Sequence, residues 1–147
     1  MSRLLAVAAT LLLALAGGAV AQQQQEQEKG PEHAIDATYE ACNDKNPSTQ
    51  GMLACADAAE EAWDKELNAA YGALVQSLKG KALETLKQAQ RAWLAQREKE
   101  YELHAAIHGQ LDGSMWGPVM ADQRVTLIKQ RALQLRAYKS FLEEGGR

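Results

Sequence analysis

The apolar residues between Gly51 and Gly80 recur every three to four positions without a break. This spacing places them on one face of a single helix. At 1.5 Å per residue, a helix over this stretch is about 40 Å long. The segment therefore predicts one long amphipathic helix, whose apolar face carries Met52, Leu53, Ala56, Ala59, Trp63, Leu67, Ala70, Tyr71, Leu74, Val75 and Leu78.

A second stripe of similar length follows Gly80. A short connection makes two long helices antiparallel neighbours. After the glycine-punctuated loop 109–117, Pro118 is suited to be the first residue of a last long helix, and Glu32–Cys42 predicts a short helix before the first long one. The second stripe comprises Leu83, Leu86, Trp93, Leu94, Arg97, Tyr101, Ala105 and His108, and the last comprises Val125, Ile128, Ala132, Leu135, Tyr138 and Leu142.

The first 31 residues have a targeting pattern. Residues 1–21 contain Arg3, an apolar run and a small-x-small triplet, which is typical of a cleavable secretory signal peptide. Residues 22–31 are polar and low in complexity, and predict a disordered tether. We therefore expect one helical domain over residues 32–143, in a periplasmic or secreted protein that does not insert into the membrane after signal cleavage.

Cys42 and Cys55 are the two cysteines of the chain. In an oxidising compartment an intramolecular bridge is the default state of such a pair. Their spacing is too wide for a CxxC redox motif, and no nearby histidine completes a zinc site. The predicted fold is all-α: a long antiparallel helical hairpin, a third long helix, and a short disulfide-tethered N-terminal helix.

The charge balance limits the class of partner. The formal net charge is −3, and Arg3 is the one charged residue of the signal segment, so the exported chain is slightly more negative. A negative chain argues against nucleic acid as a partner. It is compatible with a basic protein, although solubility alone also favours mild acidity.

No pattern in the chain singles out a catalytic set, so we predict no enzyme and no cofactor. Glu100, His104 and His108 follow one another at intervals of four, as metal ligands on a helix can, but the internal Glu of HExxH is missing. A solvated face is the favoured interpretation, and no metal site is predicted. The charge runs at 60–61, 97–102 and 143–144 are also interpreted as solvated surface.

Asp64, Asn68 and Tyr71 share one helix face because they are spaced by four and three. They form either a polar recognition patch or a structural contact, in which Asp64 or Asn68 bonds to Arg97 or Gln90 of the next helix. The structural alternative is favoured, because partly buried charges are normally paired.

The three tryptophans divide into two groups. Trp63 and Trp93 lie within their stripes and are predicted core anchors. Trp116 lies in the glycine-rich loop, where it either contacts a partner protein or covers the end of the hairpin.

A set of residues between Cys42 and Arg131 occurs in a specific order and with specific spacing. It consists of Cys42, Thr49, Gln50, Met52, Cys55, Ala56, Asp64, Glu66, Leu67, Asn68, Tyr71, Gln90, Arg91, Trp93 and Arg97, with Arg131 in the last helix. It resembles the N-terminal-domain family of the lysozyme inhibitor LprI. The resemblance implies a small exported α-helical domain that binds protein, in one branch as an inhibitor of lysozyme.

Members of this family commonly carry a second cysteine pair. Here Tyr101 stands at the first of these positions, and residues 120–124 contain no cysteine for the second. The absence of this bridge predicts that packing alone holds the last helix.

The predicted function is therefore that of an exported protein that binds another protein. In the leading interpretation it covers the cleft of a lysozyme-type muramidase, which requires no catalytic residue in the inhibitor. The alternative is a periplasmic adaptor or envelope-stress structural module without lysozyme activity.

Overall fold

The described part of the chain, residues 33–146 of a computed structural model, contains four helices. They are α1 (Ala34–Lys45), α2 (Thr49–Ser77), α3 (Gly80–His108) and α4 (Trp116–Gly145). No strand occurs within 33–146, and the predicted all-α class is confirmed. None of these helices combines the length and apolarity that crossing a membrane requires. The predicted signal peptide (1–21) and tether (22–31) lie outside the described residues.

The connection between α1 and α2 is short and closely packed. Asn46 ends α1, and the hydroxyl of Ser48 caps α2 by accepting a hydrogen bond from the Gly51 amide at 3.1 Å. A Cβ at Gly51 would lie 2.6 Å from the carbonyl oxygen of Asn46. Glycine is therefore required where the second helix starts beside the end of the first.

A disulfide between Cys42 and Cys55 ties α1 to α2, with a Cα–Cα distance of 5.7 Å. The predicted pairing is confirmed. α1 contains no buried residue, although Ile35 and Tyr39 pack against the edge of the core. The disulfide lies near the C-terminal end of α1. At the N-terminal end of α1, the His33 ring lies 4.4 Å from the Trp63 ring, so α1 runs antiparallel to α2.

Gly80 makes the turn from α2 to α3 with a φ of +56°, a conformation that favours glycine. α3 then runs back along α2: Tyr101 contacts Glu60, and Arg97 lies beside Asp64. These pairs confirm the predicted antiparallel hairpin.

The last helix runs parallel to α2, since Arg124 pairs with Glu60 and, three turns later, Arg136 pairs with Glu66. It starts earlier than predicted. α4 begins at Trp116, so Pro118 lies within the first turn, where its missing amide hydrogen is tolerated.

The core lies mainly between α2 and α4. Among the long helices, α3 contributes one buried apolar residue to this core, Leu86. Leu94, which belongs to the predicted second stripe, is exposed. At the end of the last stripe, Tyr138 and Leu142 are exposed as well. These parts of the predicted stripes do not form core. The core residues are Ala56, Ala59, Trp63, Leu67, Ala70, Leu74, Leu86, Ala121, Val125, Ile128, Ala132 and Leu135.

Candidate functional site

An open groove of about 590 Å³, which we call the polar groove, lies where α2, α3 and α4 meet. α2 supplies four carboxylates to it at helical spacing, α3 supplies an arginine and a tyrosine, and α4 supplies a second arginine. Carboxylates therefore outnumber guanidinium groups by two to one. The lining residues are Asp57, Glu60, Glu61, Asp64, Arg97, Tyr101, Arg124 and Ile128.

Glu60 is the centre of this groove. One of its oxygens accepts a hydrogen bond from the Tyr101 hydroxyl at 3.0 Å, and the other accepts one from Nε of Arg124 at 3.2 Å. Arg124 also donates to Asp57 at 3.2 Å. A single carboxylate on α2 therefore binds both neighbouring helices.

Burial and the bond to Glu60 raise the pKa of Tyr101 well above its usual value, with burial as the larger cause. The phenol therefore stays protonated and remains a hydrogen-bond donor. Tyr101 acts as a fixed link between α3 and α2.

Two predictions are wrong at this point. Packing alone does not hold the last helix, because Arg124 of α4 makes hydrogen bonds to Glu60 and Asp57. Nor is Glu60 a solvated surface residue, since it is partly buried. The sequence carried one weak signal for these residues: Glu60 and Arg124 each directly precede or follow a position of an apolar stripe.

Arg97 of α3 also lines the polar groove. Its guanidinium is 3.7 Å from Asp64 and 3.0 Å from Glu98, and it lies over the rings of Trp93 and Tyr101 at 5.5 and 5.8 Å. The structure therefore brings together Asp64 and Arg97, one of the pairs expected from the sequence. Asp64 also remains 44% exposed on its side chain.

Asn68 and Gln90 form hydrogen bonds to other partners than each other. Asn68 donates to Asp64 within α2 at 2.8 Å. Gln90 instead accepts two hydrogen bonds from Arg131 of α4, from Nε at 3.1 Å and from Nη2 at 2.9 Å. Nη1 of the same guanidinium donates to Gln134 at 2.6 Å, a partner that the sequence pattern did not indicate.

Arg131 is buried, with 9% of its surface exposed, and its guanidinium lies 5.7 Å from the centre of the Trp93 ring. Burial lowers its pKa, and the neighbouring Tyr138 acts in the opposite direction. An arginine side chain nevertheless stays charged. Trp93, which is only partly buried, therefore contacts two cations, Arg97 and Arg131.

The remaining motif residues are dispersed. Leu67 is in the core and Tyr71 packs at its edge, whereas Glu66 is 3.5 Å from Arg136 of α4. Arg91 is exposed. These four residues do not join a common site with the polar groove.

Trp116 is the first residue of α4 and is half-buried, whereas its neighbour Met115 is 61% exposed.

Glu100, His104 and His108 are the residues of α3 that are spaced like metal ligands. His104 is half-buried and His108 is exposed. Nδ1 of His104 is buried without a hydrogen-bond partner. Over residues 33–146, no three His, Cys, Asp or Glu side chains are grouped so as to hold a metal ion.

The family model of the lysozyme inhibitor LprI matches residues 42–135. The chain belongs to this family. The LprI match begins at Cys42 of the disulfide and ends at Leu135, the last core residue of α4. It therefore includes both cysteines, all of α2 and α3, and the part of α4 that packs on α2.

A solved structure is similar to this chain in sequence and fold. It is the crystal structure of an uncharacterized protein from Burkholderia thailandensis, 32% identical to this chain with a TM-score of 0.71. The similarity covers 76% of this chain and 56% of that one, so the present chain spans little more than half the length of that relative. No curated protein matches the chain significantly.

Proposed function

We propose that this chain is an exported LprI-family protein that binds another protein and inhibits a lysozyme-type muramidase by occluding its cleft. The observation that carries the proposal is the family match over residues 42–135. An inhibitor of this kind needs a rigid surface of the right shape, and no reactive group. Three long helices packed on one core provide such a surface.

The contacts of the polar groove support a structural use of its ionisable groups. Glu60, Tyr101 and Arg124 satisfy one another across three helices. Groups engaged in this way hold the helices in register. The excess of carboxylates would in addition favour approach to a basic partner.

The end of the bundle where α3 joins α4 is the contact surface that we propose. Met115 directly precedes α4 and lies four residues before Val119 of that helix, and both are exposed. Leu103 and Ile107 have the same spacing on α3 and are also exposed. We propose that these exposed residues and the half-buried Trp116 form an apolar surface of the kind that protein partners cover.

The proposed function is tested by a lytic assay. Purified protein is added in excess to c-type, g-type and i-type lysozymes, and the clearance of a bacterial suspension is followed by turbidity. We expect saturable slowing of clearance with at least one class. Unchanged clearance with all three would rule out inhibition, and the adaptor or envelope-stress role would take its place.

The proposed surface is tested with two matched substitutions on exposed apolar residues near the two ends of α4. Met115→Glu should weaken inhibition at least tenfold, because it places a charge in an apolar contact. Phe141→Glu, at a residue that is 65% exposed, should leave inhibition unchanged. If both variants inhibit as the unmodified protein does, the contact lies elsewhere on the chain.

A further inference from the structure

A second groove lies at the opposite end of the bundle, where α2 ends, α3 begins and α4 ends. Its volume is about 400 Å³, which is within the range of small-molecule sites. Its walls are largely apolar and include Leu74, Leu78, Leu86 and Phe141. We call it the C-terminal groove.

Arg131 also lines this groove. Within residues 33–146, Arg131 makes three side-chain hydrogen bonds, and all of them go to the neutral amides of Gln90 and Gln134. A guanidinium has five N–H donors, so two of them are not used by these contacts. Arg131 is thus a buried cation that has neutral partners and spare donors.

A buried charge is costly unless an opposite charge or strong hydrogen bonds compensate it. Amide oxygens provide part of this compensation, but a carboxylate would provide more, because charge-assisted bonds to arginine are about twice as strong as neutral ones. The site therefore favours a ligand with a negative group at Arg131.

The exposed residues around the groove indicate the chemistry of the rest of the ligand. Phe141 is 65% exposed, and the neighbouring Tyr138 and Leu142 are exposed as well. All three line the groove. Such a cluster of exposed apolar side chains beside a concave surface is typical of a site that an apolar group covers.

We propose that the C-terminal groove binds an alkyl carboxylate of the fatty-acid type. Its carboxylate accepts hydrogen bonds from Arg131, and its hydrocarbon chain lies against Leu78, Leu86 and Phe141. Arg131 is the one cation among the described residues that line the groove, and its charge matches the single charge of a carboxylate. This site lies away from the end proposed to contact a lysozyme, and it does not depend on that function.

The first test is a calorimetric titration of the full-length exported protein with dodecanoate, kept below its micelle concentration. We expect saturable binding at one site per chain. Dodecan-1-ol and dodecyltrimethylammonium have the same hydrocarbon chain without the negative charge, and each should bind at least tenfold more weakly. Equal binding of dodecanoate and the alcohol would overturn the role of Arg131, and the absence of dodecanoate binding would overturn the proposal.

The second test blocks the groove without disturbing Arg131 or its amide partners. Ala82 lines the groove and is exposed, so Ala82→Phe fills the space and leaves the core intact. This variant should bind dodecanoate at least tenfold more weakly. Ala95→Phe, at an exposed site of α3 outside the groove, is the matched control and should bind normally. Normal binding by Ala82→Phe would place the ligand elsewhere and contradict the proposal.

Discussion

α2 meets its two long neighbours in different ways. The core that it shares with α4 contains small residues from both helices, such as Ala56 and Ala59 of α2 and Ala121 and Ala132 of α4. This is where the helices approach most closely. Toward α3 the contacts are made by long polar side chains, with Glu60 bonded to Tyr101.

The two interfaces therefore have different roles: one mainly provides stability, and the other mainly sets the register of the helices. Apolar burial contributes roughly 25 cal/mol per Å² removed from water, and most buried apolar residues lie between α2 and α4. Hydrogen bonds contribute only about 1 kcal/mol each, but they require particular partners. We infer that the interface between α2 and α4 provides most of the folding energy, and that the polar contacts fix where α3 lies.

The largest effect that this comparison implies is at the tryptophans. Trp63→Ala should lower the free energy of unfolding by about 3–5 kcal/mol, because the ring is fully buried in the core. Trp93→Ala should cost clearly less, since this ring is partly exposed and lies on the α3 side. Urea unfolding followed by far-ultraviolet circular dichroism measures both. Equal losses would show that the two interfaces contribute alike.

The closeness of α2 and α4 can be tested by adding volume. Ala132 has no exposed surface, so Ala132→Leu should destabilise the protein by about 1–3 kcal/mol through overpacking. Ala95→Leu adds the same volume to the exposed face of α3 and should change stability by less than about 0.5 kcal/mol. Thermal unfolding of the two variants compares their stabilities. An unchanged stability of Ala132→Leu would mean that the interface between α2 and α4 has unfilled space.

Helix existence and the α2 core face could be predicted from the sequence, because both follow from local periodicity. Ala56, Ala59, Trp63 and Leu67 recur every three or four residues, and all are buried. The disulfide was equally accessible, since Cys42 and Cys55 have no other intramolecular partner. Such features depend on neighbours along the chain.

The packing partners could not be predicted in the same way. Gly80 correctly indicates that α3 turns back along α2, but nothing local shows that α4 packs more closely on α2 than α3 does. For the same reason Leu94 was assigned to a core stripe although it is exposed. The role of Glu60 depends on Tyr101 and Arg124, which are 41 and 64 residues away, so a charge at this position looks like ordinary helix surface.

A smaller effect is expected at the polar contacts. Tyr101→Phe removes the hydrogen bond to Glu60 and should cost about 1 kcal/mol at neutral pH. The contribution of Tyr101 should also depend on pH, because its pKa is raised in the folded protein from an ordinary value of 10.0. The contribution is complete below pH 10, where the phenol is protonated in both states. It is lost as pH rises above 10, because the unfolded chain then ionises first.

The measurement for Tyr101 is a set of urea unfolding curves at several pH values around and above 10. The unmodified protein should lose stability with rising pH more steeply than Tyr101→Phe. Tyr39, whose pKa is also raised chiefly by burial, is present in both proteins and contributes equally to each. Parallel pH dependence in the two would show that Tyr101 does not ionise differently in the folded and unfolded states.

The smallest effect should come from Asp64. Its ion pair with Arg97 is long, at 3.7 Å, and the carboxylate is 44% exposed, so water and salt screen the pair. Asp64→Ala should therefore cost about 0.5 kcal/mol, within the range of exposed ion pairs. Unfolding curves at low and high salt should differ less for the variant than for the unmodified protein. A loss of several kcal/mol would show that Asp64 has a main structural role in holding α3, whereas a neutral substitution that weakens partner binding would assign it to recognition.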